Sequence, residues 1–248
     1  MKGKLISLLI FAIICSSSYK TGRKRVFIAG DSTAQSYNID KTLMRVWGQL
    51  LHVFFTDDIK IVNHAIGGRS TKTFINEGRW DKLIKQAQNG DYVIIQFGHN
   101  DASSVPERHT GYSDYEANLI KFIEDAKSIG VQPILATSVV MRTFINGHLI
   151  DDRLKGYPAI TRKVAKEFNV PLIDVNTNTR DFVTMLGDEA SKPYYRWLEP
   201  GIDPSKPEGV QDDTHMNELG AKQVAQFVAD GIKNLNLEGI SEHVKNNF

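Results

Sequence analysis

Val26-Phe27-Ile28-Ala29-Gly30-Asp31-Ser32-Thr33 decides how the rest of this chain is read. Val26 to Ala29 is a short apolar run with a β-branched start, preceded by basic residues and followed by Gly-Asp-Ser. Such a run reads as a strand buried on both faces inside a parallel sheet. Gly30 lets the chain turn sharply at the strand's carboxyl end, and Asp31 and Ser32 are good helix-starting residues. A serine placed there stands in the crevice where open α/β sheets bind ligands. Taken alone, the tripeptide reads first as a helix cap, and only the remainder of the chain changes that weighting.

From Arg25 onward, strand-like runs alternate with amphipathic helical stretches, which implies a parallel sheet covered on both faces. After the first strand, Leu43, Trp47, Leu50, Leu51 and Phe54 recur at helical spacing. Ile59–Val62 is the second strand. A helix follows with Trp80, Leu83, Ile84 and Ala87 on one face, ended by Gly90. Tyr92–Phe97 is the third strand and the most apolar. Ser113 to Glu116 has capping-box spacing and opens a helix with Tyr115, Leu119, Phe122, Ile123 and Ala126 inside, closed by Gly130. Pro133–Thr137 and Leu172–Val175 are strands four and five, separated by a helix carrying Tyr157, Ile160, Val164 and Phe168. A last helix starts near Asn217. Two connections are long, Met141 to Arg153 and Asn176 to Met216, and long connections commonly carry function. With no repeat and no Gly-, Ser- or Pro-rich linker, residues 22–248 are expected to form one domain.

Composition narrows the function classes. A 41% hydrophobic and 24% charged chain is ordinary for a globular protein, and a formal charge of +1 offers no nucleic-acid surface. Lys2 and Lys4 precede an apolar run, Leu5 to Cys15, that is too short to span a bilayer, and Ser16 and Ser18 offer a small-x-small cleavage site. Residues 1–18 are therefore expected to be a signal peptide, giving a secreted or periplasmic protein. Cys15 also allows lipoprotein anchoring, ranked second because Ile14 is bulky. Cys15 is the only cysteine, so the mature chain would need no disulfide.

The chemistry gathers after the apolar runs. A serine hydroxyl needs a base to take its proton and donors aimed at the oxyanion that forms on attack of a carbonyl. The Ser32 and Gly68 N–H groups and the Asn100 side-chain amide could supply those donors. Of seven histidines, His215 has the fitting context: Asp212, three residues earlier on a helical or turn-like segment, can hold the ring's Nδ1 and leave Nε2 for Ser32. His99 and Asp101 read as loop-shaping residues, and Asp31 as a cap. Trp47 and Trp80 read as core. Tyr194, Tyr195 and Trp197 read equally as sugar-facing or loop-packing. Arg69, Arg108, Arg142 and Arg196 could pair with carboxylates of a polymer, with solvated surface positions as the default. Asp212, Asp213 and His215 lack a second histidine at ligand spacing, so neither metal nor cofactor is expected.

Gly30-Asp31-Ser32, Gly68, Gly98-His99-Asn100-Asp101 and Asp212-x-x-His215 resemble the four blocks of the SGNH, or GDSL-type, hydrolases, in order over nearly the whole chain. Trp47-Gly48, Asn63-x-Ala65, Gly68-Arg69-Ser70, Gln96-Phe97-Gly98-His99-Asn100-Asp101 and Asp213-Thr214-His215 are similar to the rhamnogalacturonan acetylesterase group within them. Val46, where glycine is commoner, departs from that pattern. The resemblance implies a flavodoxin-like three-layer α/β/α sandwich with strand order 2-1-3-4-5. It also implies a Ser32–His215–Asp212 triad, an oxyanion hole of Ser32, Gly68 and Asn100, and a secreted enzyme that removes acetyl groups from pectic polysaccharide; Arg69, Tyr194 and Trp197, from the reading of the residues above, are the candidate substrate contacts. Another ester (acetylxylan, a lipid or a thioester) and a non-catalytic carbohydrate-binding role are the alternatives.

Overall fold

Five parallel strands form the centre of the molecule in the computed structural model, which describes residues 23–150, 153–154 and 156–246. The segment read as a signal peptide, including Cys15, lies outside the described residues. β1 (Lys24–Gly30), β2 (Ile59–Asn63), β3 (Tyr92–Gln96) and β4 (Gln132–Ala136) are followed by a two-residue-stranded hairpin, β5 (Phe144–Ile145) and β6 (His148–Leu149), and then by β7 (Leu172–Ile173). The central order is β2-β1-β3-β4-β7, so the five sheet strands stand in the expected order 2-1-3-4-5, and the hairpin alone changes the last number. All neighbours in this sheet pair in parallel. Their carboxyl ends therefore share one edge.

The period of two along β1 sorts its side chains onto two cores. Val26 and Ile28 pack with Ile94, Ile134 and Ala136 on one face, whereas Phe27 and Ala29 pack with Val93, Ile95 and Leu135 on the other. Helices α2 (Thr71–Asn76), α3 (Arg79–Gln86), α4 (Tyr112–Ser128) and α5 (Tyr157–Glu167) cover the second face. Helices α1 (Trp47–Leu50), α6 (Val175–Ser191) and α7 (Glu218–Asn234) cover the first. On α4 the side chains of Tyr115, Leu119, Phe122 and Ile123 are buried, each worth about 1.5–3 kcal/mol over an exposed position. Trp47 and Trp80 are core, as read, and each indole N–H is satisfied, by Gln96 Oε1 and Asp125 Oδ2, both at 2.8 Å.

Several local expectations change. The helix with Trp47 starts at that residue, and Leu43 is exposed in the preceding loop. Val46 is extended at φ −144°, which any residue adopts, so the missing glycine costs the fold nothing. α3 stops at Gln86, and Gly90 turns the chain into β3 four residues later. α4 begins at Tyr112 with Gly111 at its cap, so Ser113 and Glu116 lie inside the helix rather than forming a capping box. Val175 leaves the fifth strand to open α6, because the Asp174 side chain caps that helix. The stretch from Asn176 to Met216 is no loop: it holds α6 and an antiparallel pair, β8 (Tyr195–Leu198) and β9 (Val210–Met216).

Candidate active site

The loops at the carboxyl edge of the sheet meet at Ser32. Gly30 is required for close approach rather than for an unusual turn: a β-carbon there would stand 2.9 Å from the Gln96 carbonyl oxygen on β3. Asp31 shapes the next residues into a single turn and not a helix. Its carbonyl accepts from Ala34 and Gln35 N–H at 3.1 Å, and its Oδ1 accepts from Thr33 N–H at 2.9 Å. Asp31 thus hydrogen-bonds a turn, and the helix that its position suggested does not follow. Tyr37 adds a tie absent from the sequence reading, its hydroxyl donating to the Ser32 carbonyl at 3.0 Å.

His215 arrives from the far end of the chain on β9. Tyr195 pairs with Met216 but Arg196 pairs with Asp212, so Asp213, Thr214 and His215 bulge out of the β8–β9 ladder. The segment is a bulged strand rather than the start of a helix. Asp212 builds the bulge: its Oδ1 accepts from the Thr214 N–H at 2.8 Å and the His215 N–H at 3.0 Å. Its Oδ2 meets His215 Nδ1 at 2.7 Å, and His215 Nε2 meets Ser32 Oγ at 2.9 Å. With Nδ1 donating to the carboxylate, Nε2 is the acceptor for the serine hydroxyl. Burial alone would raise the Asp212 carboxyl. The hydrogen bonds from His215 and Thr214 outweigh burial and hold it below the ordinary carboxylate value.

No other histidine competes for Ser32. His99 is buried, its Nε2 donating to the Val139 carbonyl at 2.9 Å, and burial pushes its pKa down. Asp101 is also buried, its Oδ1 accepting from Thr71 N–H and Oγ1–H, so both flanks of Asn100 shape the loop. Burial raises the Asp101 carboxyl from 3.8 to about 6. A carboxyl that holds its proton more tightly folded than unfolded contributes stability at low pH, lost as pH rises from about 4 to about 6. Asp101→Asn is expected to remove that slope. Urea titrations at pH 4, 5 and 6 should show the variant gaining on the parent by up to about 1.4 kcal/mol per pH unit; parallel stability curves would contradict it.

Two further segments leave the same edge of the sheet, and a β-carbon on Gly67 in the first would stand 3.5 Å from Ser32 Cβ. Gly68 takes φ +78° after β2, a left-handed conformation that favours glycine. Asn100, 6% exposed, follows β3, and its Oδ1 accepts from Arg108 Nη1 at 3.1 Å while its Nδ2 is buried without a partner among the described residues. Arg108 Nη1 also lies 3.8 Å from where a β-carbon on Gly68 would sit, so one guanidinium spans both segments.

The four arginines separate. Arg69 donates to the Gly67 carbonyl and to Glu77 at the rim. Arg142 and Arg196, read as possible contacts for a polymer, are buried and engaged within the protein. Arg196 pairs with Asp203 at 2.8 Å; burial would raise that carboxyl, yet its bonds to Arg196, Ser205 and Thr42 hold it far below the ordinary value. Arg142 pairs with Asp188 and, at 2.6 Å, with Asp213, while its backbone N–H reaches the Asp213 carbonyl at 2.8 Å. It grips the bulge that carries His215. Trp197 belongs to the same grip, donating to Asp213 Oδ1 at 2.8 Å beneath the Arg142 guanidinium. Tyr194 packs edge-on against Phe182, whereas Tyr195, read with it as a possible sugar contact, is buried with its hydroxyl donating to the Val140 carbonyl at 2.9 Å. The sequence carried no pattern for Arg142, since its partner lies 71 positions away. Among the described residues no group of His, Cys, Asp and Glu is arranged to hold a metal, and no helix is long and apolar enough to cross a membrane.

The model of the GDSL-like lipase/acylhydrolase family matches residues 28–223, from the strand before Ser32 into the helix after His215. The chain belongs to that family. Its GDSL-type relatives include a rhamnogalacturonan acetylesterase of Bacillus subtilis, 38% identical over 213 residues that cover 86% of this chain and 91% of the relative. A probable rhamnogalacturonan acetylesterase of the same organism is 37% identical over 86% of this chain and 94% of that one. A rhamnogalacturonan acetylesterase of Emericella nidulans is 35% identical over 90% and 88%. These relatives are carboxylic ester hydrolases. Among solved structures, the Bacillus subtilis protein YxiM superposes with a TM-score of 0.73 at 24% identity; the match covers 88% of this chain and 58% of that longer one. An acetylxylan esterase of Geobacillus stearothermophilus gives 0.62 at 19% identity, over 90% of this chain and 97% of that one. Both likenesses are of fold, and both agree with the GDSL-type architecture.

Proposed function

We propose that this chain is an exported serine esterase that removes acetyl groups from pectic rhamnogalacturonan. The single observation that carries the reading is the unbroken chain Ser32 Oγ–His215 Nε2–Asp212 at 2.9 and 2.7 Å. His215 takes the hydroxyl proton as Ser32 Oγ bonds to the acetyl carbonyl carbon, and Asp212 steadies the imidazolium. The carbonyl oxygen becomes an oxyanion, received by the Ser32 and Gly68 N–H groups and the Asn100 amide. Protonated His215 gives its proton to the sugar oxygen as the ester bond breaks, leaving acetyl-Ser32 and a free sugar hydroxyl. Water, deprotonated by His215, then attacks the acetyl carbonyl, and His215 returns that proton to Ser32 Oγ as the acyl bond breaks and acetate leaves. The chemistry requires no metal or cofactor.

The substrate rests on the relatives, because the catalytic set recognises the ester and not the alcohol. Three relatives named for rhamnogalacturonan at 35–38% identity support the pectic reading. Acetate release from a panel of acetylated polymers tests it. Rhamnogalacturonan is expected to be deacetylated fastest, with acetyl nitrophenyl esters cleaved faster than long-chain ones. Preference for acetylxylan or for long acyl chains would overturn the substrate, and polymer binding without acetate release would overturn the enzyme.

A further inference from the structure

Arg108 stands apart among the four arginines compared above. Arg69 has Glu77, Arg142 has Asp188 and Asp213, and Arg196 has Asp203, whereas no carboxylate pairs with Arg108 among the described residues. Its bonded partner there is Asn100 Oδ1 at 3.1 Å, and its Nε is buried without an acceptor. The guanidinium is nevertheless held, because its own loop is tied down: His109 N–H reaches the Val105 carbonyl at 2.9 Å and Thr110 N–H the Asp101 carbonyl at 3.1 Å. A guanidinium only donates, so the amide atom facing it must be the oxygen. That fixes which way the Asn100 amide is turned and leaves Nδ2, buried and unpartnered, on the opposite side.

We propose that Arg108 is a positioning residue for ester hydrolysis, turning the Asn100 amide so that Nδ2 meets the oxyanion and setting a permanent positive charge behind it. The inference rests on the esterase reading and adds to it. A cation bonded to the amide oxygen polarises the amide's own N–H groups, and in a partly water-excluded loop that field is weakly screened. The benefit is confined to the state in which the carbonyl oxygen has become negative, so it should appear in kcat. If Arg108 instead held a uronate carboxylate of the polymer, its loss would appear in KM for acidic substrates alone.

Steady-state kinetics on para-nitrophenyl acetate, a neutral ester, and on acetylated rhamnogalacturonan separate the two. Arg108→Gln is expected to lower kcat on both by about 10- to 100-fold, with KM for the nitrophenyl ester within about twofold of the parent. Arg108→Lys, which keeps the charge without the planar fork, should fall between. In an Asn100→Ala background, Arg108→Gln should cost little more, since both residues act through one amide. Full labelling of each variant by a fluorophosphonate would show an intact, folded site. Unchanged kcat on the nitrophenyl ester, a loss confined to KM for the acidic polymer, or losses that multiply in the double variant would overturn the role. Failure of the esterase reading is a separate result, visible as turnover that survives loss of the Ser32 hydroxyl.

Discussion

Ser32→Ala is expected to lower kcat on para-nitrophenyl acetate by at least about 10⁴-fold while leaving the fold unchanged. The size follows from the geometry. His215 Nε2 lies 2.9 Å from Ser32 Oγ, and no other histidine is placed to activate another nucleophile near it. Without the hydroxyl the acetyl carbonyl meets only the proposed oxyanion donors, and those act on a reaction with water alone. Stability should hold because the turn is built by Asp31 and Thr33 and anchored through the Ser32 carbonyl, not through Oγ. The measurement is single-variant kinetics with a parallel thermal melt. Retained turnover in a folded variant would remove Ser32 from its role.

The second large effect is expected at Asp212. Asp212→Asn should reduce kcat by about 10⁴-fold with little loss of stability, because the replacement separates the carboxylate's two duties. The amide oxygen can still accept from the Thr214 and His215 N–H groups, which hold the bulge. The amide nitrogen then faces His215 Nδ1 and donates to it, so the ring's proton moves to Nε2. That nitrogen can no longer accept from Ser32. Asp212→Ala would lose the bulge contacts as well, so it should cost both activity and stability. A folded Asp212→Asn variant with activity near the parent would show that the carboxylate does not set the tautomer.

How much of this was legible in the sequence differs from element to element, for physical reasons. β1 and β3 declared themselves because both faces are buried, so their apolar runs are continuous and need no partner to be recognised. Asn217 marked the start of α7 because a cap works through its own side chain, which here accepts from Leu219 and Gly220. α6 was hidden. Asn176, Thr177, Asn178 and Thr179 are poor helix formers, and Gly187 at φ 75° interrupts the helix, so neither propensity nor period announced it. The helix forms because Asp174 caps it and Val175 and Val183 reach the core. The β8–β9 pair was hidden for a related reason: its bulge breaks the alternation that identifies a strand.

The site divides along the same line. Ser32, Asp212 and His215 were legible because their spacing is local or their residue types are specific to the chemistry. Arg142, Arg108 and Tyr37 act through single long-range or loop contacts, and a one-dimensional pattern holds no trace of these. Arg142 and Arg196 were misplaced at a polymer surface because an arginine in a long connection gives no sign of the carboxylate that will bury it. Asp213 and Asp203 supply those carboxylates.

The most direct test of the central claim is covalent. The protein, treated with a fluorophosphonate and digested, should carry a single label on the peptide that contains Ser32, with esterase activity lost in proportion to labelling and neither event occurring in Ser32→Ala. A label on another residue, or full activity after Ser32 is labelled, would contradict it.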